Sequence, residues 1–219
     1  MNERTWSVLM DSWPKILAPG LVATVPLAAI SFALGLAIAL VVALVQRARV
    51  PVLARLARVY VWIARGTPLL VQLYVVFYGL PDFGIVIDPF PAAVICFSLN
   101  TGAYAAETIR GAMEAVPAGQ LDAARSQGFS FVQAMRYVVL PQALRSAFPA
   151  LSNELISLVK DTSLAANITV LEMLMATQRI VSRTYEALPL YLEVGIIYLL
   201  FSTVLTWLQR AGERRLGLV

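Results

Sequence analysis

The 219-residue sequence predicts an all-α integral membrane protein. The expected parts are five transmembrane helices, an amphipathic interfacial helix at the amino end and one short helix in a cytoplasmic loop. Three observations carry that prediction. Hydrophobic residues make up 59% of the chain and charged residues 14%, against about 45–50% and about 25% in soluble domains. One compact core cannot hide that much apolar surface, and the mean hydropathy of +0.76 agrees. The apolar residues fall into five blocks, each near the ~20 residues that cross a ~30 Å hydrocarbon core. The basic residues lie in small groups between those blocks, as in the loops of a membrane protein.

Taken in order, Trp6, Leu9, Met10, Trp13, Ile16 and Leu17 recur at helical spacing with Asp11 and Ser12 between them. That pattern predicts a helix lying on the outer membrane surface; an extension of the first span is the alternative. A basic n-region, short apolar core and small-residue cleavage site are missing, so the segment does not read as a signal peptide. No charge interrupts residues 16–46, and 20–45 is the first span. Its small residues Gly35, Ala37, Ala39 and Ala43 read as close helix packing. The second span, 57–79, is interrupted by Arg65-Gly66-Thr67-Pro68; the third covers 91–112, with Cys96 as a small buried apolar residue. The fourth, 146–167, carries several polar residues, and the fifth, 187–209, only Glu193. The whole chain, 1–219, reads as one transmembrane domain.

The charges orient it. Eleven basic residues fall on one side: Arg47, Arg49, Arg55 and Arg58; Arg110, Arg125, Arg136 and Arg145; and Arg210, Arg214 and Arg215. Four (Arg4, Lys15, Arg179, Arg183) fall on the other, while Arg65 and Lys160 lie within spans. The positive-inside rule then puts the amino terminus outside and the carboxyl terminus in the cytoplasm. Scattered arginines do not build the basic face that nucleic acid needs, despite the net charge of +4. With no histidine and one cysteine, His-based triads, ordinary zinc sites and an internal disulfide are excluded. Neither lysine follows a glycine, so no GxxxxGK[ST] loop is present to hold ATP. The chain is expected to bind no metal and no cofactor.

The loop 114–141 is the longest stretch outside the spans. Pro117-Ala118-Gly119 breaks the third helix, and residues 120–127 form a short helix with Asp122 and Arg125 at i,i+3. Gly128 ends it and Ser130 caps the next segment. A helix this short is unstable alone in water, so a partner protein or an ordinary surface connector must account for it. The segment GQLDAARSQG (119–128), followed by LPQA (140–143), resembles the "EAA" signature of ABC-importer permeases. RGTPLLVQ (65–72), LNTGAYAAETIRG (99–111) and SNELISLVKDTSL (152–164) are similar to the polar amino-acid branch, and the likeness spans roughly 15–215. One departure is Asp122, where that signature usually has Glu. The resemblance implies a type I importer transmembrane domain in a bacterial inner membrane. It implies a second permease copy or homologue, two cytoplasmic ATPase subunits that carry ATP and Mg, and an extracytoplasmic amino-acid-binding protein. Gly119, Asp122, Ala123, Ala124, Arg125 and Gly128 would then belong to a coupling helix docked on the ATPase.

Polar residues within the spans default to function. At ~1.5 Å per residue, Thr67-Pro68 lies about 15 Å in, near mid-membrane. Asn100 and Thr101 reach the same level from the outer side, and Asn153, Glu154 and Ser157 from the inner side. Thr67 as N-cap and Pro68 at the first helical position would open a half-helix, whose N–H groups suit a carboxylate. Thr67, Asn100, Asn153, Glu154 and Ser157 are therefore expected around one substrate site, or alternatively as hydrogen bonds that fix packing. Arg65 with Glu107, and Lys160 with Asp161, are candidate gate pairs; Glu107 has Arg110 one turn away as another partner. The leading function is the permease subunit of an ATP-driven importer of cystine-type or general polar amino acids. A proton-coupled secondary transporter, or a membrane enzyme, is the alternative.

Overall fold

The computed structural model describes residues 3–47 and 50–218, all helical or connecting, with no strand among them. Arg49, counted above with the basic side, lies outside the described residues. Eight helical segments follow one another. They are α1 (Glu3–Arg47), α2 (Pro51–Gly66), α3 (Leu69–Phe83), α4 (Pro89–Ala115), α5 (Ala118–Ser126), α6 (Phe131–Ile168), α7 (Met173–Thr184) and α8 (Ala187–Arg215).

The amphipathic amino end is not a separate surface helix: it continues into the first span through a π-turn at Gly20–Thr24, just after Pro19. Proline lacks the N–H that would bond back one turn, and a π-turn absorbs the gap without ending the helix. The 45 residues of α1 extend about 67 Å, more than twice the hydrocarbon thickness. Thr5, Ser12 and Ile16 face α7 and α8, while Trp6, Met10 and Trp13 point outward.

Pro68 breaks the second expected span outright. Thr67 sits in extended backbone (φ −120°, ψ 143°), as the residue before a proline must, and α3 leaves at a bend of 104° to α2. The fourth span is the carboxyl-terminal part of the longer α6, which begins well before it and runs through a π-turn at Met135–Val139 and across Pro141. α6 then bends by 51° into α7, through Thr169 at φ +66°.

Helix α4 is the centre. Its Ala92, Ala93, Cys96 and Phe97 pack with Leu27 of α1 and Leu158 and Val159 of α6. Ala105, Ala106, Ile109 and Met113 pack with Ala39 and Ala43 of α1 and Ala143 and Ala147 of α6. Gly35, Ala39 and Ala43, four apart, form the seam on α1; Ala37 points out of it. A Cβ on Gly35 would stand 3.0 Å from Thr101, and one on Gly102 would stand 2.8 Å from Ile38, so both glycines hold α1 against α4.

By length and apolarity, α1 and α8 qualify as spans alone, and the bent pairs α2–α3 and α6–α7 raise the total to 4. The expected third span, α4, is long enough at 27 residues (about 40 Å) but too polar to qualify. Twelve of its residues are buried among the other helices, so protein rather than lipid surrounds it. The apolar surface lies outside instead. Only 28% of the most apolar window of α1, and 22% of that of α8, is buried within the chain. Most of each window therefore faces outward, as a lipid-facing belt does.

Candidate transport cavity and coupling helix

The α2–α3 break frees backbone groups at membrane depth, where each must find a partner. Gln72, one turn into α3, folds back and its Nε2 donates to the Ala64 carbonyl (2.8 Å), the Thr67 carbonyl (3.1 Å) and Thr67 Oγ1 (2.9 Å). Asn100 Nδ2 on α4 donates to the same Ala64 carbonyl (3.2 Å) and to Gln72 Oε1 (3.4 Å). Thr67 Oγ1 donates back to Ile63 O at 2.9 Å. Thr67 is thus the C-cap of α2 and not the N-cap of α3, a position Pro68 takes with no side-chain cap. The hydroxyl closes the helix before it because the extended pre-proline backbone turns it that way.

The break opens into a cavity of about 550 Å³, within the range that small-molecule sites occupy, about 300–1,000 Å³. Gly66, Thr67 and Leu69 form one wall, Asn100 and Tyr104 of α4 a second, and Glu154, Ser157 and Asp161 of α6 a third, with Arg65 at one corner. Four of the five expected residues therefore meet: Thr67, Asn100, Glu154 and Ser157. Asn153 does not, and is exposed elsewhere. Glu154, Ser157 and Asp161 are i, i+3 and i+7, one stripe of a helix; Asn153 is turned about 100° from Glu154, and Lys160 about 100° from Asp161. For that reason Lys160 makes no ion pair with Asp161; no salt bridge of Lys160 occurs among the described residues. Asp161 belongs to the cavity rather than to that pair, and the same periodicity in the sequence was the signal for it. Tyr104, one turn from Asn100, follows the same rule on α4.

In the other expected pair, Glu107 lies near both of its possible partners. Arg65 Nη1 is 3.9 Å from Glu107 Oε2, while Arg110 holds Glu107 closely, Nη2 to Oε2 at 2.8 Å and Nε to Oε1 at 3.2 Å. Arg110 also reaches Glu114 at 2.7 Å. These charges, with Arg58, Trp62 and Gln46, line a second cavity of about 450 Å³. Arg65 lines both, its guanidinium 5.1 Å above the Tyr104 ring. Asn100, Tyr104 and Glu107 run down one face of α4 from the first cavity to the second.

Two carboxylates sit apart from both. Ser12 Oγ donates to the buried Glu193 at 2.6 Å, tying α1 to α8. Glu172, fully buried, accepts from the Leu174 and Met175 N–H groups (2.9 and 2.7 Å) and from Tyr198 Oη (2.7 Å). It caps α7 and joins it to α8, a role that a lone glutamate between apolar residues did not announce. No cluster of metal-ligating side chains occurs among the described residues.

At the other end, α5 closes as the sequence predicts. Gly128 is left-handed at φ +83°. Its N–H donates to Arg125 O (2.9 Å) and that of Phe129 to Ala124 O (3.1 Å), a Schellman motif. Ser130 and Gln133 then form a reciprocal capping box. Gly119, Asp122, Ala123, Arg125 and Gly128 are exposed, and the Asp122–Arg125 pair is loose at 4.0 Å. Ala124 differs from expectation. It is buried, holding α5 to the rest of its own chain while its neighbours stay free.

Comparison with known proteins places this architecture. The chain is 44% identical over 212 residues to the L-cystine transport system permease protein TcyB of Bacillus subtilis (strain 168), covering 96% of this chain and 91% of that one. It is 36% identical over 216 residues to the nopaline transport system permease protein NocM of Agrobacterium fabrum, covering 94% and 89%. A solved amino acid ABC transporter, crystallised with histidines, superposes with a TM-score of 0.89 at 34% identity, covering 98% of this chain and 100% of that one. Residues 31–218 match the family model described as binding-protein-dependent transport system inner membrane component. With that match over most of its length, the chain belongs to the family of inner-membrane components of binding-protein-dependent transport systems.

Proposed function

We propose that this chain is the permease subunit of an ATP-driven importer that moves amino acids, cystine-type or other polar ones, into the cytoplasm by alternating access. The observation that carries the reading is a cavity at the helix break lined by both signs of charge. The cation Arg65 and the carboxylates Glu154 and Asp161 all line it, which suits a zwitterion. Thr67, Asn100, Glu154 and Ser157 would contact the substrate, and Arg65 with Glu107 would close the path below it. The exposed α5, with Gly119, Asp122, Ala123 and Arg125, would dock on an ATPase subunit that holds ATP and Mg, the chain having no phosphate-binding loop of its own. The cystine permease among its relatives supports a cystine-type substrate. The complex would hold two permease copies or a homologous pair, two ATPase subunits and an external binding protein. The amino terminus would lie outside the inner membrane and the carboxyl terminus in the cytoplasm.

The test is purification of the tagged chain with its neighbouring gene products, followed by uptake into proteoliposomes loaded with ATP. Co-purification of an ATPase, and amino-acid uptake that needs both ATP and the binding protein, are expected. Uptake driven by a proton gradient without ATP would instead establish the secondary-transporter alternative.

A further inference from the structure

We propose that Arg65 takes the substrate's carboxylate, and that it does so by releasing Glu107. The proposal rests on the reading of the first cavity as an amino-acid site and deepens it. A zwitterion in that cavity finds Glu154 and Asp161 for its ammonium group and, among the described residues lining it, one basic side chain, Arg65. At the helix break the side-chain donors are already engaged. The amides of Gln72 and Asn100 donate to the Ala64 and Thr67 oxygens, the Thr67 hydroxyl donates to Ile63 O, and Pro68 has no N–H to give.

Arg65 is held loosely enough to change partners. At 3.9 Å its contact with Glu107 is beyond hydrogen-bond range, and its side chain is 44% exposed. Glu107 has Arg110 on both of its oxygens regardless of Arg65. Withdrawing Arg65 therefore leaves no unpaired carboxylate behind, whereas a substrate carboxylate arriving without Arg65 would itself lack a cation. Its Cζ lies 5.1 Å from the centroid of the Tyr104 ring, a contact that uses none of its N–H groups, and these can bond in pairs to a carboxylate. Because Arg65 lines both cavities, its move toward the first also thins the wall to the second. Filling the site is then what loosens the path inward.

The test is equilibrium binding to the purified permease–ATPase complex without the binding protein. The probes are the tightest binder from a panel of L-cystine and the polar amino acids, and the carboxamide of that same amino acid. The wild type should prefer the acid over the amide by about tenfold or more, the usual worth of a charged hydrogen-bonded pair. Arg65→Gln should reduce that preference to within about twofold, and Arg65→Lys should leave an intermediate value, because a point charge replaces a two-pronged one. Glu107→Gln should keep the preference and bind the acid at least as tightly, since a competitor for Arg65 is gone. An Arg65→Gln complex that still discriminates, or a Glu107→Gln complex that loses discrimination equally, would overturn the assignment. Should Arg65→Gln fail to assemble, Arg65→Lys decides, and wild-type discrimination there overturns it as well. If no amino acid binds even the wild type, the cavity reading fails; if one binds but discrimination ignores Arg65, only the present assignment fails.

Discussion

Glu154, Ser157 and Asp161 share one stripe of α6, so a ligand entering the first cavity meets them together. The carboxylate of Glu154 cannot turn toward lipid without a cost of several kcal/mol, about 2.5–3.5 at mid-membrane. Replacing it with glutamine keeps the shape and removes the charge. Glu154→Gln should reduce ATP-dependent amino-acid uptake about tenfold or more, while the yield of chain and its co-purification with the ATPase stay near wild type. Wild-type uptake in that variant would remove Glu154 from the site. The residue types of this cavity were legible in the sequence because polar side chains are rare inside apolar spans. Their directions were less so. Depth counts group residues by level and ignore angle, so they place Asn153 with Glu154, and Asp161 with Lys160, although about 100° of helix rotation separates each pair. The role of Gln72 is not legible in the sequence for a related reason: it satisfies the Ala64 and Thr67 oxygens that the break leaves open, and that need exists only once α3 has turned by 104°.

Proline and glycine set the element boundaries that the sequence predicted correctly. Thr67-Pro68 ends α2, Pro117 precedes α5, and Gly128 closes it. Proline and glycine act through local backbone geometry, and local rules suffice to read them. The boundaries that were misplaced depend on continuity instead. α1 and α6 run on through π-turns at Gly20–Thr24 and Met135–Val139, where packing holds a helix together past a proline. Gly128 gives the element-scale prediction. At φ +83° with open space around it, a side chain there meets no clash, only backbone strain. That strain is of order 1–3 kcal/mol and is worst for a β-branched residue. Gly128→Val should therefore loosen the α5 cap and abolish most coupled uptake, with the chain still inserted; Gly128→Asn, which tolerates the left-handed region, should retain much of it. Equal uptake by the valine variant and the wild type would show that the end of α5 carries no coupling.

On the scale of the whole molecule, α4 explains why hydropathy alone does not show all five expected spans. A helix enclosed by α1, α2 and α6 no longer needs an apolar surface, and α4 carries Ser98, Asn100, Thr101, Tyr104 and Glu107 where a lipid-facing helix would carry leucine. Hydropathy alone therefore undercounts it, while its 27 residues still exceed the membrane's thickness. The two ends of α4 make the topology testable. Asp88 is exposed at its start, Ser126 is exposed just past its far end at the close of α5, and about 40 Å of helix separates the two regions. The lone native cysteine, Cys96, is 2% exposed and adds no competing label. A cysteine introduced at Asp88 should react with a membrane-impermeant thiol reagent applied to intact spheroplasts, and one at Ser126 only after the inner face is opened. The sign follows from the eleven basic residues assigned to the side of Ser126 and the four assigned to the other. Reaction of both from the same face would mean that α4 does not cross the bilayer. In that event the first cavity would no longer sit between the two sides, and the transport path through Arg65 would fall with it.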